Sequence, residues 1–124
     1  MIKSRGLHHI NLNVTDVERS LKFYQQAFGL EVKFWEDNRR MVFLRSPGAS
    51  DTITLCQVHK GEAVAGGGVS HFGFSLTEKD KLDEVIAQVE SAGGKLVSRG
   101  KHGGSFPYAY VSDPDGYVIE IGNG

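Results

Sequence analysis

A repeat at an offset of 62 residues constrains this chain more than any other feature: His9-Ile-Asn-Leu-Asn-Val-Thr-Asp returns as His71-Phe-Gly-Phe-Ser-Leu-Thr-Glu. Self-similarity at a fixed spacing means one supersecondary unit used twice. Each copy is an alternating strand that runs into a capping-box pattern, Thr15-x-x-Glu18 and Thr77-x-x-Asp80, so each should open a helix. Val17, Leu21, Tyr24 and Phe28 give the first helix its apolar stripe and Gly29 its end. Leu82, Val85, Ile86 and Val89 do the same for the second, which should stop at Gly93-Gly94.

Three strand patterns follow each helix: residues 30–35, 39–46 and 51–59, then 95–99, 106–112 and 116–122. The order β-α-β-β-β, twice, predicts an α+β fold of two βαβββ modules forming a cupped, barrel-like mixed sheet. Module 1 is expected over about 5–60 and module 2 over about 69–122, within one domain spanning 1–124. The segment Gly61–Gly68, with three consecutive glycines, reads as the linker.

Composition narrows the partners. A formal net charge of -1 and 23% charged residues create no large field of either sign, so nucleic acid and membrane surfaces are poor candidates. No run of about 20 apolar residues is present to span a bilayer, and the N-terminal residues lack a signal-peptide core, so a cytoplasmic location is expected. The single cysteine, Cys56, excludes an intrachain disulfide framework and a cysteine-rich zinc cluster. A bound metal would need histidine and carboxylate ligands.

Strand phase then selects candidates. In the first strand His8, Ile10, Leu12 and Val14 share the face that must lie under the helix, which leaves His9, Asn11 and Asn13 on the polar face. His8 should point toward the helix layer or fray at the strand end. In the second module Phe72, Phe74 and Leu76 take the buried face, leaving His71, Gly73 and Ser75 on the other. The turn Asp113-Pro114-Asp115-Gly116 launches a last strand in which Val118 and Glu120 oppose Tyr117, Ile119 and Ile121. A carboxylate projected from a buried strand needs a partner. Two imidazoles and one carboxylate, His9, His71 and Glu120, make a facial set for one divalent ion, with positions open for substrate.

The stretches LHHINLNVTDVERSLKFYQQAFGLEV, VSHFGFSL and DPDGYVIEI resemble the vicinal oxygen chelate superfamily, which includes glyoxalase I, fosfomycin-resistance thiol transferases, bleomycin-resistance proteins and extradiol dioxygenases. The resemblance covers nearly the whole chain and implies that His9, His71 and Glu120 are metal ligands. Glyoxalase I usually adds a fourth ligand, whose position aligns here with Thr54, or with Gln57 if the register slips. The segment from Gly100 to Glu120 is similar to the extradiol dioxygenase signature at all fixed positions but Ala109. That similarity implies that His102 and Tyr110 sit beside a substrate oxyanion and that His59, twelve residues before His71, is the candidate general base.

The implied activity is metal-assisted chemistry on a small substrate with vicinal oxygens, extradiol-dioxygenase-like first. Fe2+ or Mn2+ is favoured for that reaction. Ni2+, Zn2+ or Co2+ would suit a glyoxalase-type lyase or isomerase. A third alternative is a sequestration protein resembling bleomycin-resistance proteins, its cleft lined by Phe34, Trp35, Phe106, Tyr108 and Tyr110. A homodimer is expected, because paired modules can close within one chain or crosswise between two.

Overall fold

A computed structural model describes residues 1–78 and 81–122. The chain divides into two compact units, Met1–Val64 and Ala65–Gly124. The first holds β1 (Ile10–Val14), α1 (Val17–Phe28), β2 (Glu31–Glu36), β3 (Met41–Arg45) and β4 (Ile53–Gln57). The second holds β5 (Phe72–Ser75), α2 (Leu82–Ser91), β6 (Lys95–His102), β7 (Phe106–Ser112) and β8 (Val118–Gly122). Each unit is thus a βαβββ module, and the α+β class read from the repeat holds. None of the described helices is long and apolar enough to cross a membrane.

The sheets run β1-β4-β3-β2 and β5-β8-β7-β6, with the first pair of each parallel and the others antiparallel. Each order has two ends, so neither sheet closes on itself. In both, the crossover from the first strand through the helix and the outer hairpin brings the last strand back beside the first. Both outer hairpins carry a register shift at matching places, between Val32 and Phe34 and between Leu96 and Ser98. One extra residue there bends the edge strand and sharpens its twist.

The alternation that separates the two faces is plain in the burial. Leu12, Val14, Leu44, Ile53 and Leu55 pack under Val17, Leu21, Tyr24 and Ala27 of α1, while Asn11 and Asn13 face away and are exposed. Phe23, which the helical spacing left out, is also buried, edge-on to Tyr24 at 5.0 Å. In the second unit Ala109, Val111, Ile119 and Ile121 pack with Leu82, Ile86 and Val89. Each of the buried valines, leucines and isoleucines contributes roughly 1.5–3 kcal/mol, and Asn11, Asn13 and Glu120 are left on the opposite sheet faces.

Several expected boundaries move, each for a local reason. The N-cap of α1 is Asp16 rather than Thr15: its carboxylate accepts from the Arg19 amide at 3.1 Å, and Thr15 Oγ1 instead accepts from the Arg19 guanidinium at 2.8 Å. Gln57 supplies a second cap, its Oε1 accepting from the Val17 amide at 2.9 Å. The N-cap of α2 is Lys81, which makes no side-chain capping bond, so Thr77 does not open that helix; Asp80 lies outside the described residues. β3 begins at Met41, not at residue 39, because Asp37, Asn38 and Arg39 all take left-handed φ values in the turn. β6 runs on to His102, three residues past the expected end. β8 begins at Val118, because the turn retains Tyr117: Asp113 Oδ1 accepts from the amides of Asp115 and Tyr117, both at 2.9 Å, with Gly116 at φ 94°.

Candidate metal centre

The polar face of the second sheet gathers its chemistry around one carboxylate. β8 presents Glu120 on the side opposite Ile119 and Ile121. The parallel pairing with β5 sets Glu120 beside Gly73, so His71, two residues earlier in the chain, falls on the same face. On the other side β7 sets Tyr110 directly across from Glu120, and β6 carries His102 in from the far edge. His71 Nε2 lies 3.4 Å from Glu120 Oε1, and His102 Nε2 lies 3.4 Å from Glu120 Oε2. One imidazole therefore faces each carboxylate oxygen.

Aromatic packing fixes these rings. His71 meets Tyr110 edge-on at 4.9 Å, Tyr110 meets Tyr108 edge-on at 5.3 Å, and Tyr108 stacks on His102 at 4.1 Å with 20° between the planes. Two glycines make room. A Cβ on Gly73 would sit 2.8 Å from the Glu120 carbonyl oxygen, and one on Gly100 would sit 2.8 Å from the Tyr108 hydroxyl. Beside Glu120 opens a cavity of about 200 Å³ whose lining includes Ser75, His102, Tyr108 and Gly122.

The electrostatics follow from the hydrogen bonds. Tyr110 donates its phenol to Glu120, which with the hydrogen bond from His102 and the charges of His102 and His71 holds the carboxyl below the usual range against the opposing effect of desolvation. The same bond, aided by desolvation and the Glu120 and Tyr108 charges, raises the Tyr110 phenol, so its proton stays in place.

This donor set suits a divalent ion. Two donors about 2.1 Å from a common ion stand about 3.0 Å apart at a right angle and about 3.4 Å apart at a near-tetrahedral angle, and His71 Nε2 and Glu120 Oε1 lie 3.4 Å apart. Among the described residues, no group of three or more histidine, cysteine, aspartate or glutamate side chains already forms a metal-holding cluster. The second unit offers the pair His71 and Glu120, with His102 and Tyr110 alongside.

The other candidates lie in the first unit. His9 immediately precedes β1 and is exposed, its Nδ1 2.9 Å from His8 Nδ1. Of the two expectations for His8, the strand-end one fits: it lies ahead of β1, exposed, and reaches its neighbour rather than the helix layer. His59 follows β4, where its ring nitrogen is 3.4 Å from Arg40 Nη2 and its amide donates to Glu62. It borders a cavity of about 460 Å³ with Asn13, Arg40 and Cys56. Thr54 pairs with Asn11 as Glu120 pairs with Gly73, and with Phe43 as Glu120 pairs with Tyr110. Register therefore makes Thr54 the counterpart of Glu120, and Gln57 is committed to capping α1. Of the expected cleft aromatics, Phe34 stacks on Phe43 at 4.3 Å and Arg39 covers Trp35 at 3.9 Å. Reading the sequence passed over Ser70, Gly73 and Arg40 as site residues; only the phase that put Gly73 beside His71 hinted at one of them.

The family model described as Glyoxalase/Bleomycin resistance protein/Dioxygenase superfamily matches residues 6–121. The chain belongs to that superfamily. A lactoylglutathione lyase of Neisseria meningitidis serogroup A is 31% identical over 122 residues, covering 93% of this superfamily member and 88% of the lyase. A trivalent organoarsenical cleaving enzyme of Bacillus sp. (strain MD1) is 33% identical over 121 residues, or 91% of this chain and 70% of that enzyme. The fold also matches a variant of the fosfomycin resistance protein FosX from Listeria monocytogenes, complexed with Mn(II) and 1S,2S-dihydroxypropylphosphonic acid. The TM-score is 0.79 at 21% identity, over 98% of this chain and 92% of that one.

Proposed function

We propose that this superfamily member is a divalent-metal-dependent enzyme for a small substrate bearing two neighbouring oxygens, with His9, His71 and Glu120 as the metal ligands. The observation that carries the reading is the convergence of His71, His102 and Tyr110 on Glu120, a carboxylate held ionised on an open sheet face. When bound, the metal supplies Lewis-acid polarisation of the substrate oxygens. Fe2+ or Mn2+ is the favoured ion, in keeping with the Mn(II) of the FosX complex. Tyr110 keeps its proton and holds Glu120 in place as a ligand. His102, aligned by the Tyr108 ring, offers a hydrogen bond to a substrate oxyanion beside the carboxylate. His59 is the candidate base.

In this reading the reaction is extradiol-type ring opening of a catechol. The likeness to a lactoylglutathione lyase favours a second reading, a glyoxalase-type lyase with Ni2+, Zn2+ or Co2+. Oxygen uptake with catechols by the Fe(II)- or Mn(II)-loaded protein, set against formation of S-lactoylglutathione by the Ni(II)- or Zn(II)-loaded protein, decides between them. Ring cleavage that His102→Ala and Tyr110→Phe abolish upholds the first. Lactoylglutathione formation without oxygen uptake replaces it with the second.

A further inference from the structure

The two histidines that the repeat equates share a detail beyond strand phase. His71 Nδ1 lies 3.0 Å from the hydroxyl of Ser70, the residue before it. His9 Nδ1 lies 2.9 Å from Nδ1 of His8, the residue before it. His8 and Ser70 are themselves equivalent under the 62-residue repeat. Each unit has thus arrived separately, with different chemistry, at the same contact: the side chain just ahead of the strand engages the inner ring nitrogen of the histidine that follows.

An imidazole carries one mobile proton, and a hydrogen bond at one nitrogen decides which nitrogen is left bare. With His71 Nδ1–H as the donor and Ser70 Oγ as the acceptor, Nε2 offers its lone pair to a metal, and Nε2 is the atom that faces Glu120 Oε1 at 3.4 Å. With His9 Nδ1–H as the donor and His8 Nδ1 as the acceptor, His9 Nε2 is offered in the same way.

We infer that His8 and Ser70 are positioning residues that lock His9 and His71 in the tautomer and ring orientation presenting Nε2 to the metal. The inference rests on the reading of His9 and His71 as ligands. Partners of this kind, one step behind the ligands, are worth about 10–100-fold in metal affinity. Serine accepts through its hydroxyl oxygen and histidine through Nδ1, so threonine at 70 and asparagine at 8 preserve the acceptor while alanine removes it.

The test is Zn(II) binding to the full chain by calorimetry, with ¹⁵N NMR of the imidazoles in the Zn(II)-loaded protein and thermal melting of the metal-free protein. His8→Ala and Ser70→Ala should each bind Zn(II) about 10–100-fold more weakly than wild type and melt at an unchanged temperature. His8→Asn and Ser70→Thr should restore wild-type affinity, and the wild-type rings should carry their proton on Nδ1. Wild-type affinity in either alanine variant overturns the inference, and so does a proton on Nε2 of either ligand. His9→Ala and His71→Ala separate the two levels. If they lose Zn(II) while the His8 and Ser70 variants keep it, only the positioning role falls. If they too bind as wild type, the ligand assignment falls first.

Discussion

Glu120 shows how far one side chain's surroundings can be read before a structure. Its place on the polar face followed from alternation and a turn, because a period of two leaves no choice once Ile119 and Ile121 are buried. The Tyr110 and His102 contacts did not follow from the chain's own pattern, since they depend on the β7–β8 register and on a bulge in β6 that resets the phase between Leu96 and Ser98. Two outcomes belong to this scale. Removing the phenol in Tyr110→Phe takes away the largest influence holding the Glu120 carboxyl down, so its pKa should rise, as ¹³C NMR of the metal-free protein will read. A carboxyl depressed in the folded state stabilises fully above its ordinary value of 4.5, and that contribution drains away as pH falls through the lower folded value. In the variant the folded value lies nearer 4.5, so the acid-dependent loss of stability from this group should be smaller and complete at a higher pH. Gly73→Ala drives a methyl to 2.8 Å from the Glu120 carbonyl oxygen. It should cost roughly 1–3 kcal/mol in urea unfolding and weaken metal binding through the displaced carboxylate.

At the scale of elements, the helices were legible in their apolar stripes but not in their starts. The capping box pointed to Thr15, yet the side chain in place is Asp16, aided from β4 by Gln57, a partner 40 residues away that no local pattern reveals. Asp16→Ala should lower stability by about 0.5–2 kcal/mol, measured as a shift in the urea midpoint without change in slope. The strand counterpart of Glu120 behaves oppositely. Thr54 is 2% exposed and its buried Oγ1 has no hydrogen-bond partner among the described residues. Thr54→Val removes a group whose desolvation nothing offsets, so thermal melting should show equal or higher stability.

For the whole molecule, the duplicated order of elements was fully readable, because helix and strand periods alternate in the same sequence twice. The functional divergence of the halves was only partly so. Thr54 and Phe43 stand in the first unit where Glu120 and Tyr110 stand in the second, a correspondence that rests on strand register rather than on residue type. The expected homodimer has its own test at this scale. His9→Ala and Glu120→Ala proteins, each inactive alone, should regain up to about a quarter of wild-type activity on mixing if ligands come from two copies, since random pairing rebuilds one of two sites in half the dimers. No recovery places all ligands within one chain.

The missing side chain at Gly73 also bears on what each half tolerates. Its equivalent under the repeat is Asn11, which pairs with Thr54 as Gly73 pairs with Glu120. The two halves, alike in register, differ in what these positions accommodate. At position 73 a Cβ meets the Glu120 carbonyl oxygen at 2.8 Å, while its twin carries an exposed amide side chain. Saturation mutagenesis under selection for activity should find position 73 far more restricted than position 11.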